Sequence, residues 1–227
     1  MLSRVFYSGL LTVCCGLGAV YAATQTPMQL TGPGPNGALS SIYVGPYAAT
    51  IGGGSAIPVI CDDFADDTYL GESWTANIFN STDLGNPADL SQTKWGNVGK
   101  YQEAAWLGLQ LVNTPTNAAC GGASNCAGDI QFAIWQLFDP GQNPIGRLTG
   151  GDASNATNWL TSAANQSYNN FTLYSYVPGT ATGCPGPCTA PQEFMVVHTP
   201  EASGLALLGA DFLGFAALLL LFKIGSA

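Results

Sequence analysis

Positive charge and histidine are scarce in this chain. Its 227 residues carry 5 Lys+Arg and 1 His against 14 Asp+Glu, and charged residues of every kind make up only 8%. A formal net charge of -9, with Lys94, Lys100 and Arg147 the only basic residues between the two ends, cannot neutralise a run of phosphates. Nucleic-acid binding is excluded. His198 stands alone near the C-terminal end, which leaves no Ser-His-Asp or Cys-His catalytic set and no multi-histidine metal site. There is no internal repeat and no second regime of composition, so one domain is expected over residues 25 to 199, long enough to bury a sizeable core.

Apolar stretches of spanning character occur only at the two ends. Residues 1–22 combine Arg4, an apolar run from Val5 to Val20, and Val20 and Ala22 where a signal peptidase reads small residues. This reads as a secretory signal peptide cut after Ala22; the alternative is a retained anchor, for which the run is short. At the other end, Thr199-Pro200-Glu201-Ala202-Ser203-Gly204 leads into an apolar stretch from Leu205 to Phe222, followed by Lys223. At the helical rise such a stretch spans about 27 Å, near the thickness of a bilayer core. Asp211 within it costs about 2.5 to 3.5 kcal/mol on insertion scales, reduced where a partner or snorkelling helps. Residues 200–227 resemble the PEP-CTERM sorting signal of Gram-negative exported proteins, with Pro200 and Glu201 as the motif dipeptide and Lys223 as the cytoplasmic positive end. The resemblance implies an inner-membrane precursor held by helix 205–222, a signal peptidase and an exosortase-type enzyme as partners, and a final place at the cell surface or in the extracellular matrix. The alternative is a plain C-terminal anchor that is never cleaved.

Removal of the signal peptide takes Cys14 and Cys15 with it, so the mature chain keeps Cys61, Cys120, Cys126, Cys184 and Cys188. An odd count matters in an oxidising compartment. Cys120 and Cys126 bracket a Gly-rich loop and Cys184 and Cys188 bracket Pro-Gly-Pro, so two local disulfides are the economical assignment, although spacing alone does not fix connectivity. Cys61 is left over, to be buried and inert, paired between chains, or chemically employed.

The patterning predicts a mainly β fold with inserted helices. After a flexible lead-in, Gly, Pro and Ser dominate from Thr24 to Pro58 and indicate short strands and turns, with one alternating patch over Ser41 to Tyr47. Ile57 to Phe64 reads as a buried strand and Leu70 to Phe79 as a second. Alternation along the first puts Val59, Cys61 and Asp63 on one face and Ile60, Asp62 and Phe64 on the other. Helices are expected over Lys100 to Val112, over Asp129 to Phe138 with Asp129 as its cap, and around Ala153 to Asn165. In the second of these, Ile130, Ala133, Ile134 and Leu137 form one stripe while Gln131 and Trp135 share a neighbouring one. Late strands are expected over Phe171 to Val177 and Gln192 to Val197.

Cys61 in Val-Ile-Cys-Asp-Asp-Phe and Gln131 in Ile-Gln-Phe-Ala-Ile-Trp resemble, in order and context, the two motifs of the thioester (TQXA) domains of bacterial surface proteins. Asp63, Ala133 and Trp135 match the supporting motif positions, Tyr101 to Leu107 resembles the helix found between them, and Ile130 stands where the family has Thr. The resemblance implies an internal thioester between Cys61 and Gln131, formed with loss of ammonia and then attacked by an amine or hydroxyl on a partner surface, a surface amine or a polysaccharide. Such a bond is used once, without turnover, so no enzyme activity and no cofactor are implied. The chemistry needs a thiolate to attack and burial to exclude water afterwards. Asp62 and Asp63 oppose it, because like charge disfavours a thiolate.

Other readings of the same residues stay open. Cys61 can be a small core residue and Gln131 a polar group satisfying backbone, which leaves a non-reactive structural or glycan-binding component of the envelope or matrix. Asp62, Asp66 and Asp67, with Asp63, offer hard oxygen ligands for calcium but no spaced loop motif. Asp63 with Glu103 is the nearest thing to a glycosidase pair, and nothing in the sequence fixes their separation. Trp74, Trp95, Trp106, Trp135 and Trp159 are expected as core anchors, with Trp95 the most exposed and available to a sugar.

Overall fold

The computed structural model describes residues 23–113 and 125–199. The expected signal peptide, the sorting tail with Pro200, Glu201 and Lys223, the helix 205–222, and Cys120 all lie outside the described residues. Within them the elements run β1 (Thr24–Gly32), β2 (Ala38–Leu39), β3 (Ile42–Tyr43), β4 (Tyr47–Ile51), β5 (Ala56–Cys61), β6 (Ser73–Asn80), α1 (Pro87–Leu90), α2 (Val98–Asn113), α3 (Cys126–Phe138), α4 (Gly150–Ala163), β7 (Phe171–Tyr176) and β8 (Phe194–Val197). No helix among them is long and apolar enough to cross a membrane.

Six strands close a barrel in the order β1-β4-β5-β8-β7-β6, every neighbouring pair antiparallel. Closure leaves no free sheet edge. Alternation sorts the side chains into two cores. Met28 and Leu30, Tyr47 and Ala49, Val59 and Cys61, Trp74 and Ala76, Tyr174, and Phe194 and Val196 gather in one cluster, to which each of the six strands contributes. Ile60, Phe79, Phe171, Leu173, Met195 and Val197 belong to the second, which is completed by Tyr101, Leu107 and Leu111 of α2 and Ile130, Ala133 and Ile134 of α3. The first cluster fills the barrel and the second joins the outer face of β5 to β8 to the helices inserted between β6 and β7.

Helix α2 begins where the Asn97 side chain accepts the Lys100 backbone N–H at 3.1 Å, the usual way to satisfy a first-turn donor. It can lie close to the sheet because Gly108 faces Ile60 and Val197 without a side chain. Helix α3 starts earlier than its sequence predicts: Asn125 is the cap position and Asp129 sits inside the helix, where its carboxylate accepts from Asn155 Nδ2 of α4 at 3.1 Å. Burial pushes the Asp129 carboxyl up to about 6. Where short strands and turns are expected from Thr24, the chain opens with the nine-residue strand β1, which pairs with both β4 and β6. The strand expected from Leu70 begins only at Ser73, because Leu70 and Gly71 form a turn in which Gly71 has φ 88°.

The two local disulfides fare differently. Cys184 and Cys188 are bonded, with their Cα atoms 5.4 Å apart. Cys126 is also disulfide-bonded, and its expected partner Cys120 falls outside the described residues. Cys61 is a free, buried thiol.

Candidate functional site

Cys61 is the last residue of β5, and chain direction changes immediately after it. The Asp63 backbone clasps the sulfur: Cys61 Sγ donates to the Asp63 carbonyl at 3.0 Å, while the Asp63 N–H points back at the sulfur from 3.4 Å. Asp63 itself is held by its side chain, whose Oδ1 accepts from the Ala65 and Asp66 N–H groups at 3.0 and 3.3 Å, an Asx-type turn. Its carbonyl also accepts from Gln192 Nε2 at 2.7 Å. The alternation expected through Phe64 therefore holds as far as Asp62 and fails at Asp63 and Phe64. Asp63 does not present its carboxylate to the sulfur, because that group pairs with Lys94, and Phe64 folds back onto Phe132 and Trp135, 6.3 and 5.0 Å away between ring centroids.

Gln131 approaches from α3. Its Nε2 donates to the Cys61 carbonyl at 2.6 Å, across 70 residues of sequence, and both residues are completely inaccessible to solvent. The other end of the carboxamide is unusual, since Oε1 is buried with no hydrogen-bond partner. Such orphaned acceptors are uncommon and costly. Gly45 makes room for it: a Cβ there would stand 2.5 Å from Gln131 Oε1 and 3.3 Å from the Tyr47 ring. Phe132 and Trp135, one and four residues on, enter the barrel cluster beside Cys61, whereas Ala133 faces the helical core. The two helical stripes read from the sequence thus face two different cores.

The thiol is a weak acid here. Burial raises the Cys61 pKa well above its ordinary value, the charges of Asp63 and Asp62 add to this, and the Asp63 N–H and the nearby Trp135 indole N–H work slightly the other way. Tyr47, whose hydroxyl donates to the Tyr43 carbonyl at 2.6 Å, is also pushed well up, by burial and then by Cys61.

Asp62 points to the opposite side, into the helical core. Neither of its oxygens accepts a hydrogen bond, and burial raises its pKa well above the carboxylate range, with the charges of Glu193 and Asp63 adding to the effect. Glu193 is better served: Tyr101 donates its hydroxyl at 2.6 Å and Lys94 its backbone N–H at 3.0 Å. Two carboxyls in one dry site cannot both ionise, so the less solvated one keeps its proton. Burial and the charges of Glu193 and Asp63 therefore favour the protonated form of Asp62. Lys94 Nζ bridges Asp63 and Asp66, the second at 2.7 Å.

The calcium candidates do not converge. Asp62 is turned inward, Asp66 is occupied by Lys94, and Asp67 lies along an open groove. Among the described residues the one group of three possible metal ligands is Glu72 with Cys184 and Cys188, and the two cysteines are joined to each other. Glu103 accepts from the Asn165 backbone and shares no partner with Asp63. Trp95 stacks on Phe138 at 5.6 Å with Lys94 over its ring at 5.2 Å, so its faces are already covered. Trp74 stacks on Phe194 and Trp106 leans on Trp159, as anchors do.

Sequence reasoning passed over Gly45, Tyr47, Lys94 and Glu193. Lys94 carried a usable signal, being one of very few cations in an acidic chain and therefore certain to be contested by carboxylates. No protein-family model matches the chain, and no curated protein and no solved structure matches it.

Proposed function

We propose that the protein is an exported surface or matrix component that attaches covalently to a partner through an internal Cys61–Gln131 thioester. One observation carries this reading: the carboxamide of Gln131 is pinned against Cys61 by a 2.6 Å hydrogen bond, with its carbonyl oxygen orphaned and both residues sealed from water. The bond is to the Cys61 backbone carbonyl, and holding the carboxamide beside the residue that carries the thiol lowers the entropic barrier to their reaction. In the reaction the Cys61 Sγ bonds to Gln131 Cδ, the Cδ–Nε2 bond breaks, and the thiol proton leaves with the nitrogen as ammonia. Losing Nε2 gives up its hydrogen bond to the Cys61 carbonyl, while Oε1 is kept as the carbonyl oxygen of the thioester. The raised thiol pKa slows formation, and it equally makes the sulfur a poor leaving group, which protects the acyl bond until a nucleophile arrives.

Export is supported by the Cys184–Cys188 disulfide and the disulfide-bonded Cys126, which belong in an oxidising compartment. In this reading residues 200–227 act as a PEP-CTERM-like sorting tail for an exosortase, and the route ends at the Gram-negative cell surface or matrix.

Intact mass spectrometry of the unreduced protein tests the bond. The expected wild-type mass is about 17 Da low for lost ammonia, methylamine adds to it, and Cys61→Ala shows neither effect. A full mass with one alkylatable thiol at Cys61 refutes the thioester and leaves a non-reactive binding or structural domain.

A further inference from the structure

Trp135 and Tyr47, which screen Cys61 and Gln131 from solvent, form the floor of a groove of about 600 Å3. That volume lies within the range of dedicated ligand sites. Its rim carries two aromatic rings that no core has claimed, Tyr43 at 56% and Tyr69 at 43% exposure. Arg147, also in the groove, lies over the Phe64 ring at 4.8 Å and has no carboxylate partner among the described residues. Asp67 and Gln142 likewise line it with side chains that make no hydrogen bond there.

We infer that this groove binds a neutral polysaccharide chain and delivers one of its hydroxyls to the Cys61–Gln131 centre, an inference that rests on the thioester reading. The chemistry of the lining selects the occupant. Flat exposed rings beside free donors and acceptors match a sugar, which offers apolar C–H faces and hydroxyls that both give and accept. An anionic chain would meet Asp67, which has no cation partner among the described residues. A lysine-rich segment would meet Arg147, and it would find the Asp63–Asp66 pair already neutralised by Lys94. In the transfer the sugar oxygen bonds to Gln131 Cδ, the Cδ–Sγ bond breaks, and the hydroxyl proton passes to the Cys61 sulfur. The products are a glycan ester of residue 131 and a free thiol. Tyr43 couples the groove to the centre, because its carbonyl holds the Tyr47 hydroxyl.

The test incubates the full-length protein with methylamine, with three neutral glycans (dextran, a galactomannan and cello-oligosaccharides), with polygalacturonate and with polylysine. Conjugation is followed by mass and by hydroxylamine release of the ester. The expected result is an ester with at least one neutral glycan in preference to both charged polymers. Tyr43→Ala and Arg147→Ala should each lower glycan conjugation about tenfold more than they lower methylamine incorporation. Methylamine uptake without any neutral-glycan ester, preference for polylysine, or equal losses for both nucleophiles overturns the inference while leaving the thioester standing. No methylamine uptake at all overturns the thioester and this inference with it.

Discussion

Replacing Asp62 by Asn should make the protein more stable at neutral pH, although it alters a completely buried residue beside the candidate centre. The wild-type carboxyl faces Glu193, Asp63, Lys94 and Tyr101, and burial and the neighbouring carboxylates raise its pKa well above the value of an unfolded Asp, which favours its protonated form in the fold. A carboxyl raised in this way contributes fully below its unfolded pKa, and its contribution is lost as pH climbs toward the folded value. In that window the native state binds up to one proton more than the unfolded chain, so stability falls as pH rises, by at most about 1.4 kcal/mol per pH unit. An Asn side chain has the same shape and takes up no proton. Its stability should therefore lack this slope and gain on wild type as pH rises from about 5 to about 7. Urea melts followed by tryptophan fluorescence at a series of pH values measure both curves. Glu72, Asp63 and Asp129 are raised as well, but they are common to both proteins and largely cancel in the difference. Parallel curves, or an Asn variant weaker than wild type at pH 7, would show that Asp62 is ionised and the proton assignment wrong.

Gly45→Ala drives a methyl group to within 2.5 Å of Gln131 Oε1, so it should cost about 1 to 3 kcal/mol and stop ammonia loss, read as a full intact mass in a protein that still folds. Gly108→Ala gains about 1 kcal/mol of helix propensity but presses its Cβ to 2.6 Å from Ile60 Cδ1 and 2.9 Å from Val197 Cγ2. Overpacking of about 1 to 3 kcal/mol should win, seen as a lower Tm. Ser40 and Ser41, the two residues between β2 and β3, both have positive φ, 49° and 66°, as a primed hairpin turn requires. Ser41→Gly relieves a left-handed conformation worth about 1 to 2 kcal/mol and loses part of it to chain entropy, for a net gain of about 0.5 to 1 kcal/mol and a Tm rise of about 2 °C.

The parts legible in the sequence are those governed by local periodicity. Three helices and the strands around Cys61, Phe79, Phe171 and Val197 follow their apolar spacing to within a few residues, and the stripe carrying Gln131 and Trp135 turns to the barrel core. Barrel closure was hidden because β1 and β6 are far apart in sequence and join by backbone pairing, which leaves no mark on residue type. The same holds for Asp63. Sequence gives it to the sulfur as a like charge, whereas the end of β5 and the Asx-type turn bring its backbone there and send its carboxylate to Lys94. Gly45 and Tyr47 lay in a stretch rich in turn residues, where nothing distinguishes a spacer from a glycine that shelters an orphaned oxygen.

Two aspartates directly after a cysteine make a poor nucleophile on paper, yet the fold disposes of most of that charge. Burial pushes Asp62 toward its protonated form, Asp63 is paired with Lys94, and Glu193 is satisfied by Tyr101 and by the Lys94 backbone. What remains against the thiolate is chiefly burial, the first and largest cause of its raised pKa. Burial penalises a charged sulfur and leaves an uncharged thioester untouched. In the proposed reaction the environment would therefore oppose the free thiolate at both ends, slowing the closing of the bond and its idle loss. A site arranged this way suits a bond made once, held in a dry interior, and opened only when a bound partner brings its own nucleophile.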